Sequence, residues 1–129
     1  MHEDRTTHAK GESYAAARAM AEIALSKKAE DVRILDLRET SVGTDYFVIC
    51  SGTSETQVRA IADEVQQVRK KAGHRVWRVE GHRGGRWVLL DYVDVVVHVF
   101  HPETRGYFSL ETLWGDVSSE RIEDEGTSP

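Results

Sequence analysis

Apolar residues recur at helical spacing in two stretches of the chain. The first, "SYAAARAMAEIALSKKAED" from Ser13 to Asp31, is rich in alanine, a strong helix former. Its apolar stripe consists of Ala16, Ala19, Met20, Ile23 and Ala24. We predict a helix with Ser13 as its N-cap and with Lys27 and Lys28 near its C-terminal end, where the helix dipole favours positive charge.

The second helical stretch has a clear beginning and a clear end. Ser54 in "SETQ" is followed three residues later by Gln57, the spacing of a capping box. Gly73 follows two lysines and suits the residue after a helix. The apolar stripe between these signals is Val58, Ile61, Ala62, Val65 and Val68.

Five other stretches have the short apolar or alternating pattern of strands. They are "DVRILDLRE", "DYFVICS", "HRVWRVEG", "WVLLD" and "DVVVHVF". A last short helix is predicted from Ser109 through "LETLW". The predicted order is α-β-β-α-β-β-β-α: a mixed five-stranded sheet flanked by helices, in the α/β (α+β) class.

The two ends of the chain are polar. We expect a flexible N-terminus at residues 1–11, a single domain at 12–115 and an acidic disordered tail at 116–129. The chain has a net charge of −5, of which −4 lies in residues 116–129 and −1 in residues 31–115. A domain without a basic field is a poor match for a partner made mainly of nucleic acid, whereas a basic protein stays compatible.

The single cysteine indicates a reducing compartment. Cys50 has no second cysteine to pair with, and its setting "YFVICSG" suits a small buried hydrophobe. No apolar run reaches the roughly 18 residues of a membrane helix, and the N-terminus lacks the apolar core of a secretion signal. We expect a cytoplasmic protein.

Asp91 and Asp94 stand within the apolar run "WVLLDYVDVVVHVF" and raise the question of catalysis. With a phosphate on the loop Ser51–Ser54, they would suit a metal-dependent nucleotidyltransferase. However, residues three apart face opposite sides of a continuous strand, and a turn at "DYVD" explains both acids. The same spacing argues against zinc at His98 and His101. We expect no catalysis, no metal and no cofactor, with the nucleotidyltransferase kept as an alternative.

A second alternative rests on "HRVWRVEGHRGGRW". Its arginines and tryptophans have the composition of a surface that stacks on nucleic-acid bases. The simpler interpretation is a solvated strand and a basic turn. An RNA-binding module, or a minor contact with ribosomal RNA, stays open.

Aromatic residues beside carboxylates favour a protein–protein interface, in which rings anchor and acids complement a basic partner. The candidate partner-binding residues are Trp87, Leu89, Asp91, Tyr92, Asp94, Tyr107 and Phe108.

From about Asp31 to Trp114 the chain resembles the ribosomal silencing factors of the Iojap type. The blocks that carry the resemblance are "LDLRETSVGTDYFVICSGTSETQVRAIADEV", "VEG", "WVLLDYVDVVVHVF" and "ETRGYFSLETLW". The resemblance implies a nucleotidyltransferase-like fold without established catalysis. It also implies binding to the fourteenth protein of the large ribosomal subunit, which sterically blocks joining of the small subunit and represses translation. Some members aid large-subunit maturation, and free members commonly form homodimers.

The resemblance bears on single residues too. Trp87, Tyr92 and Phe108 match the family's partner-contact positions, whereas Leu89, Asp91, Asp94 and Tyr107 come from the argument on charge and aromatics. The family's turn commonly reads Asp-x-Gly-Asp, but Val93 replaces the glycine here. Since a β-branched residue resists positive φ, we expect this turn to use ordinary backbone angles or to bulge.

Overall fold

A computed structural model describes residues 2–108 and 117–123 of the chain, with side chains described for 11–105 and 117–123. The helices are α1 (His2–Ser26), α2 (Glu55–Lys71) and α3 (Pro102–Phe108). The strands are β1 (Glu30–Asp36), β2 (Tyr46–Ser51), β3 (Arg78–Glu80), β4 (Trp87–Asp91), β5 (Val95–Phe100) and β6 (Ser119–Ile122). The element order confirms the predicted mixture of helices and strands.

The strands form one mixed sheet in the order β3-β4-β5-β2-β1-β6. The β2–β5 pair is parallel, and the other neighbouring strands are antiparallel. The predicted mixed sheet is therefore confirmed, but it has six strands and not five. Its likeness to the nucleotidyltransferase fold stays a prediction.

The additional strand lies where we predicted a disordered tail. In β6, Ile122 lies opposite Val32 of β1 and is only 4% exposed. Glu120 accepts hydrogen bonds from Tyr14 Oη at 2.5 Å and from Arg18 Nη1 at 3.3 Å. Residues 119–122 were assigned wrongly because the acidic composition concealed one buried apolar residue and one carboxylate paired with α1.

The first helix begins at His2, well before the predicted start. Ser13 is therefore not an N-cap; its hydroxyl donates to Asp45 Oδ2 at 2.7 Å and so ties α1 to the residue before β2. The third helix occupies Pro102–Phe108, which the pattern did not predict. The helix predicted from Ser109 through Trp114 lies outside the described residues.

The second helix has the predicted ends. Ser54 is its N-cap, and its hydroxyl accepts the backbone N–H of Gln57 at 3.1 Å. The Gln57 side chain reaches back to the N–H of Thr53 at 2.5 Å. Gly73 follows the helix with φ of +94°, an angle that glycine adopts without strain.

Alternate residues of each strand point to opposite faces of the sheet. On one face, here called the helix face, strand residues such as Val48, Leu90 and Val97 pack with Met20 of α1 and Ile61 of α2, all at most 1% exposed. Cys50 is part of this core, as predicted, and burial raises the pKa of its thiol to about 12. The opposite face, here called the second face, has a smaller buried cluster made of Leu35, Leu37, Ile49 and Phe100.

Candidate partner-binding site

Strand β4 presents three of the candidate residues on the second face. Trp87, Leu89 and Asp91 are half-buried, whereas Val88 and Leu90 between them are fully buried in the helix-face core. The alternation that makes β4 a strand therefore brings these three side chains into one row.

Trp87 is held in place by aromatic neighbours on β5 and β2. Its ring stacks on Phe100 with centroids 4.9 Å apart, and its indole Nε1–H donates to His98 Nδ1 at 3.1 Å. Phe47 meets the His98 ring edge-on at 4.4 Å. These contacts fix the indole on the sheet, and a fixed, half-exposed ring loses little conformational freedom when a partner covers it.

His98 is buried, with 4% of its surface exposed. Burial lowers its pKa to about 4. Because Nδ1 accepts the Trp87 hydrogen bond, the neutral ring carries its proton on Nε2. Nε2 finds no hydrogen-bond partner among the described residues, so His98 is hydrogen-bonded through Nδ1 and not through Nε2.

Tyr92 and Asp94 lie away from this row. Tyr92 packs against the helix-face core, and both residues line a cavity of about 690 Å³ with Met20 and Arg69. The Tyr92 hydroxyl is buried without a partner among the described residues, and burial raises its pKa. The structure therefore does not bring Tyr92 together with Trp87, because Tyr92 is the first residue after β4 and its side chain packs on the helix face.

Asp91 makes contacts within its own chain. Its Oδ1 accepts the backbone N–H of Val93 at 2.8 Å, and its Oδ2 lies 3.7 Å from Arg78 Nη2. Its side chain is 15% exposed, whereas Asp94 is exposed. Asp91 lines a groove on the second face, and Asp94 lines the cavity beside α1. The structure thus offers no shared metal position to these two carboxylates.

The turn between β4 and β5 contradicts our expectation for Val93. Val93 has φ of +76°, in the region that β-branched residues resist. The N–H of Asp94 donates to the carbonyl of Tyr92 at 2.9 Å, which closes a three-residue turn around Val93. The Asp91 carboxylate and the bonds from Asp45 N–H and Tyr46 N–H to the Asp94 carbonyl hold this strained turn in place.

Tyr107 and Phe108 end α3. Their side chains lie outside the described residues, so their part in the site stays a prediction.

The groove on the second face includes residues that the sequence analysis did not select. It has a volume of about 480 Å³, and Leu89 and Asp91 lie in its lining. Trp77, which is 67% exposed, forms part of its wall. The other apolar lining residues are Val42, Phe47, Val93 and Val96. The sequence around Trp77 suggested only a contact with nucleic-acid bases, although a tryptophan beside a short strand also suits a contact with a protein.

The geometry gives little support to the nucleotidyltransferase and RNA-binding alternatives. In the loop Ser51–Ser54, Gln57 accepts the Thr53 N–H and Ser54 caps α2, so side chains already use the groups expected to hold phosphate. Arg86 lies 3.5 Å from Glu55 and 3.1 Å from Glu103, and Arg78 lies 3.1 Å from Glu80. Within the described ranges, no three His, Cys, Asp or Glu side chains form a group that could hold a metal.

Comparison with known proteins places this arrangement in a family. The sequence profile of the family described as "Ribosomal silencing factor during starvation" matches residues 10–129. The chain belongs to the ribosomal silencing factor family. The ribosomal silencing factor RsfS of Bacillus subtilis is 50% identical over 91 residues, which are 70% of this chain and 77% of that protein.

Two further relatives agree with this membership. The ribosomal silencing factor RsfS of Halalkalibacterium halodurans is 48% identical over 97 residues, which are 75% of this chain and 83% of that protein. A crystal structure of a Chromobacterium violaceum protein has a TM-score of 0.77 and 32% identity, and covers 88% of this chain and 95% of that one. The predicted family and the mixed α+β fold are thereby confirmed. No helix in the described part of the chain is both long and apolar enough to span a membrane.

Proposed function

We propose that this protein is a ribosomal silencing factor in function as well as in family. It binds the large ribosomal subunit through the fourteenth ribosomal protein of that subunit, and it sterically prevents the small subunit from joining. Translation is repressed as a result. The family match over residues 10–129 is the observation that carries this proposal. We further propose that it acts on cytoplasmic ribosomes and aids maturation of the large subunit.

The contact surface that we propose is centred on Trp87 and Leu89. Both side chains are half-buried on the second face, where α1 and α2 do not lie. Aromatic and aliphatic anchors on a rigid sheet form strong contacts because little ordering free energy is lost on binding. Asp94 is exposed on the turn after β4, away from this row, and adds to the negative charge that a basic protein would meet.

The other candidate residues have different roles in this proposal. Asp91 shapes the turn through its bond to the Val93 N–H and adds charge only through its exposed fraction. Tyr92 supports the turn from the helix face. Tyr107 and Phe108, at the end of α3, complete the surface on the strength of the family resemblance.

The mechanism needs occupancy and not turnover. An interface of roughly 800 Å² on each partner is enough for specific binding. A bound domain of this size then occupies space that the small subunit needs. Formation of a homodimer by the free protein is a further part of the proposal.

Co-sedimentation with purified large subunits tests the contact surface. Leu89→Arg places a positive charge among the proposed anchors, so we expect the variant to stay in the supernatant. Val68→Arg makes the same change of charge on α2, at a valine that is 38% exposed, and should pellet like the unmodified protein. Co-sedimentation of Leu89→Arg at the unmodified level would overturn the proposed surface. Cross-linking from the Leu89 position should capture the fourteenth ribosomal protein, and capture of another protein alone would refute that partner.

A further inference from the structure

Three of the four exposed large apolar side chains in the described part of the chain lie around the groove on the second face. Four such side chains are exposed in the described part of the chain: Val42 at 39%, Val68 at 38%, Trp77 at 67% and Val93 at 56%. Val42, Trp77 and Val93 line the groove of about 480 Å³ on the second face, and Val68 lies on α2. Val42, Trp77 and Val93 come from three separate segments, so the fold and not local sequence brings these apolar side chains together.

The groove continues the proposed contact surface. Its lining includes Leu89 and Asp91 of β4, and Phe47 and Val96 from the neighbouring strands. Because Leu89 belongs to both, a partner that covers the row of Trp87 and Leu89 meets the groove next.

Trp77 is presented outward and held in position. Its backbone N–H donates to the Asp91 carbonyl at 2.8 Å, which fixes its place beside β4. The guanidinium of Arg78 lies 5.2 Å from the centre of the indole ring. A large ring that is mostly exposed contributes little to the core, but it suits a contact with another protein.

Val93 carries a cost that folding alone does not explain. Its φ of +76° is strained for a β-branched residue, and more than half of its side chain is exposed. Glycine would adopt this angle more easily. Valine at this position therefore destabilises the free protein, but its side chain adds apolar surface to the groove.

The charged residues beside the groove favour a basic binding partner. Arg78 lies 3.1 Å from Glu80 and 3.7 Å from Asp91, so two carboxylates accompany one guanidinium. Surplus negative charge around an apolar groove complements an apolar side chain on a basic segment.

We propose that this groove, with Trp77 and Val93 as its walls, binds an apolar side chain on a basic segment of the same ribosomal protein. This inference rests on the proposed function, because it names a second contact with the partner proposed there. Trp77 is the main anchor of this contact, and Val42 and Val93 close the groove around the inserted side chain.

Dissociation constants for purified large subunits test the proposal. Trp77→Ala should raise the dissociation constant about tenfold or more, and Val42→Ala about threefold. Val68→Ala is the matched control, since Val68 and Val42 are almost equally exposed but only Val42 lines the groove. Val68→Ala should bind within about twofold of the unmodified protein.

Val93→Gly distinguishes a binding role from a structural one. Relief of the strained angle should raise the melting temperature by about 4 °C. Loss of the apolar side chain should weaken binding about threefold. If Val93 served only the fold, the substitution would change the melting temperature and leave the dissociation constant unchanged.

The possible failures are separable. Absence of binding by the unmodified protein would refute the proposed function and this inference together. Normal binding by the unmodified protein, Trp77→Ala and Val93→Gly would refute the groove contact alone. If Trp77→Ala abolished self-association in sedimentation equilibrium but left subunit binding unchanged, the occupant would be a second copy and the proposal would be wrong.

Discussion

The two faces of the sheet are built from the same strands but have different surroundings. On the helix face, Val88 and Leu90 of β4 lie in a core closed by α1 and α2 and are fully buried. On the second face, Trp87, Leu89 and Asp91 are half-buried beside a groove. One strand therefore serves stability with one set of alternate residues and offers a binding surface with the other set.

The largest expected effect comes from adjacent leucines on β4. Leu90→Ala removes a fully buried side chain from the helix-face core and should lower the free energy of unfolding by about 3 kcal/mol. Leu89→Ala, on the second face, should lower it by only about 1 kcal/mol but weaken subunit binding. Urea unfolding of both variants measures this difference. Equal destabilisation would contradict the division of labour between the faces.

His98, on the second face, should make the free energy of unfolding of the protein depend on pH. Its pKa is lowered to about 4 in the folded protein, so the unfolded chain binds more protons below the ordinary value of 6.5. Its contribution is fully present above that value and is lost as the pH falls from there toward 4. Between pH 7 and pH 4.5 this loss should be about 2 kcal/mol.

His98→Gln removes the titrating group from the same position. Comparison of urea unfolding at the two pH values should show a smaller loss for this variant by about the amount attributed to His98. The same dependence on pH in both proteins would show that other groups cause it.

The smallest effect is expected at the turn that joins β4 to β5. Val93→Gly should raise the free energy of unfolding by about 1 kcal/mol, because glycine accepts the positive φ that strains valine. Val95→Gly offers a contrast, since Val95 is buried and its loss should be destabilising. A decrease in stability for Val93→Gly would mean that the Val93 side chain contributes packing that outweighs the strain.

Local signals in the sequence were enough to predict α2 and most strands. Ser54, Gln57 and Gly73 mark the ends of α2 through bonds and angles that depend on neighbouring residues only. Strand β6 was missed because its stability depends on distant partners: Ile122 meets Val32, and Glu120 meets Tyr14 and Arg18.

The candidate site was only partly predictable for the same reason. Trp87 lies within β4, whereas Tyr92 follows the last residue of that strand and packs on the other face, so their closeness in sequence did not predict a shared surface. The groove around Trp77 was not accessible to sequence reasoning, because Val42, Trp77 and Val93 meet only when the sheet is assembled. The positive φ of Val93 depends on the Asp91 carboxylate and on bonds from the residues that begin β2.

In the proposed mechanism the second face binds the large subunit, and the bound protein then prevents the small subunit from joining. Light scattering of mixed large and small subunits, with increasing amounts of this protein, measures joining directly. We expect the unmodified protein and Val68→Arg to suppress joining, and Leu89→Arg to leave it intact. Normal joining at a large excess of the unmodified protein, or equal suppression by Leu89→Arg, would contradict the account.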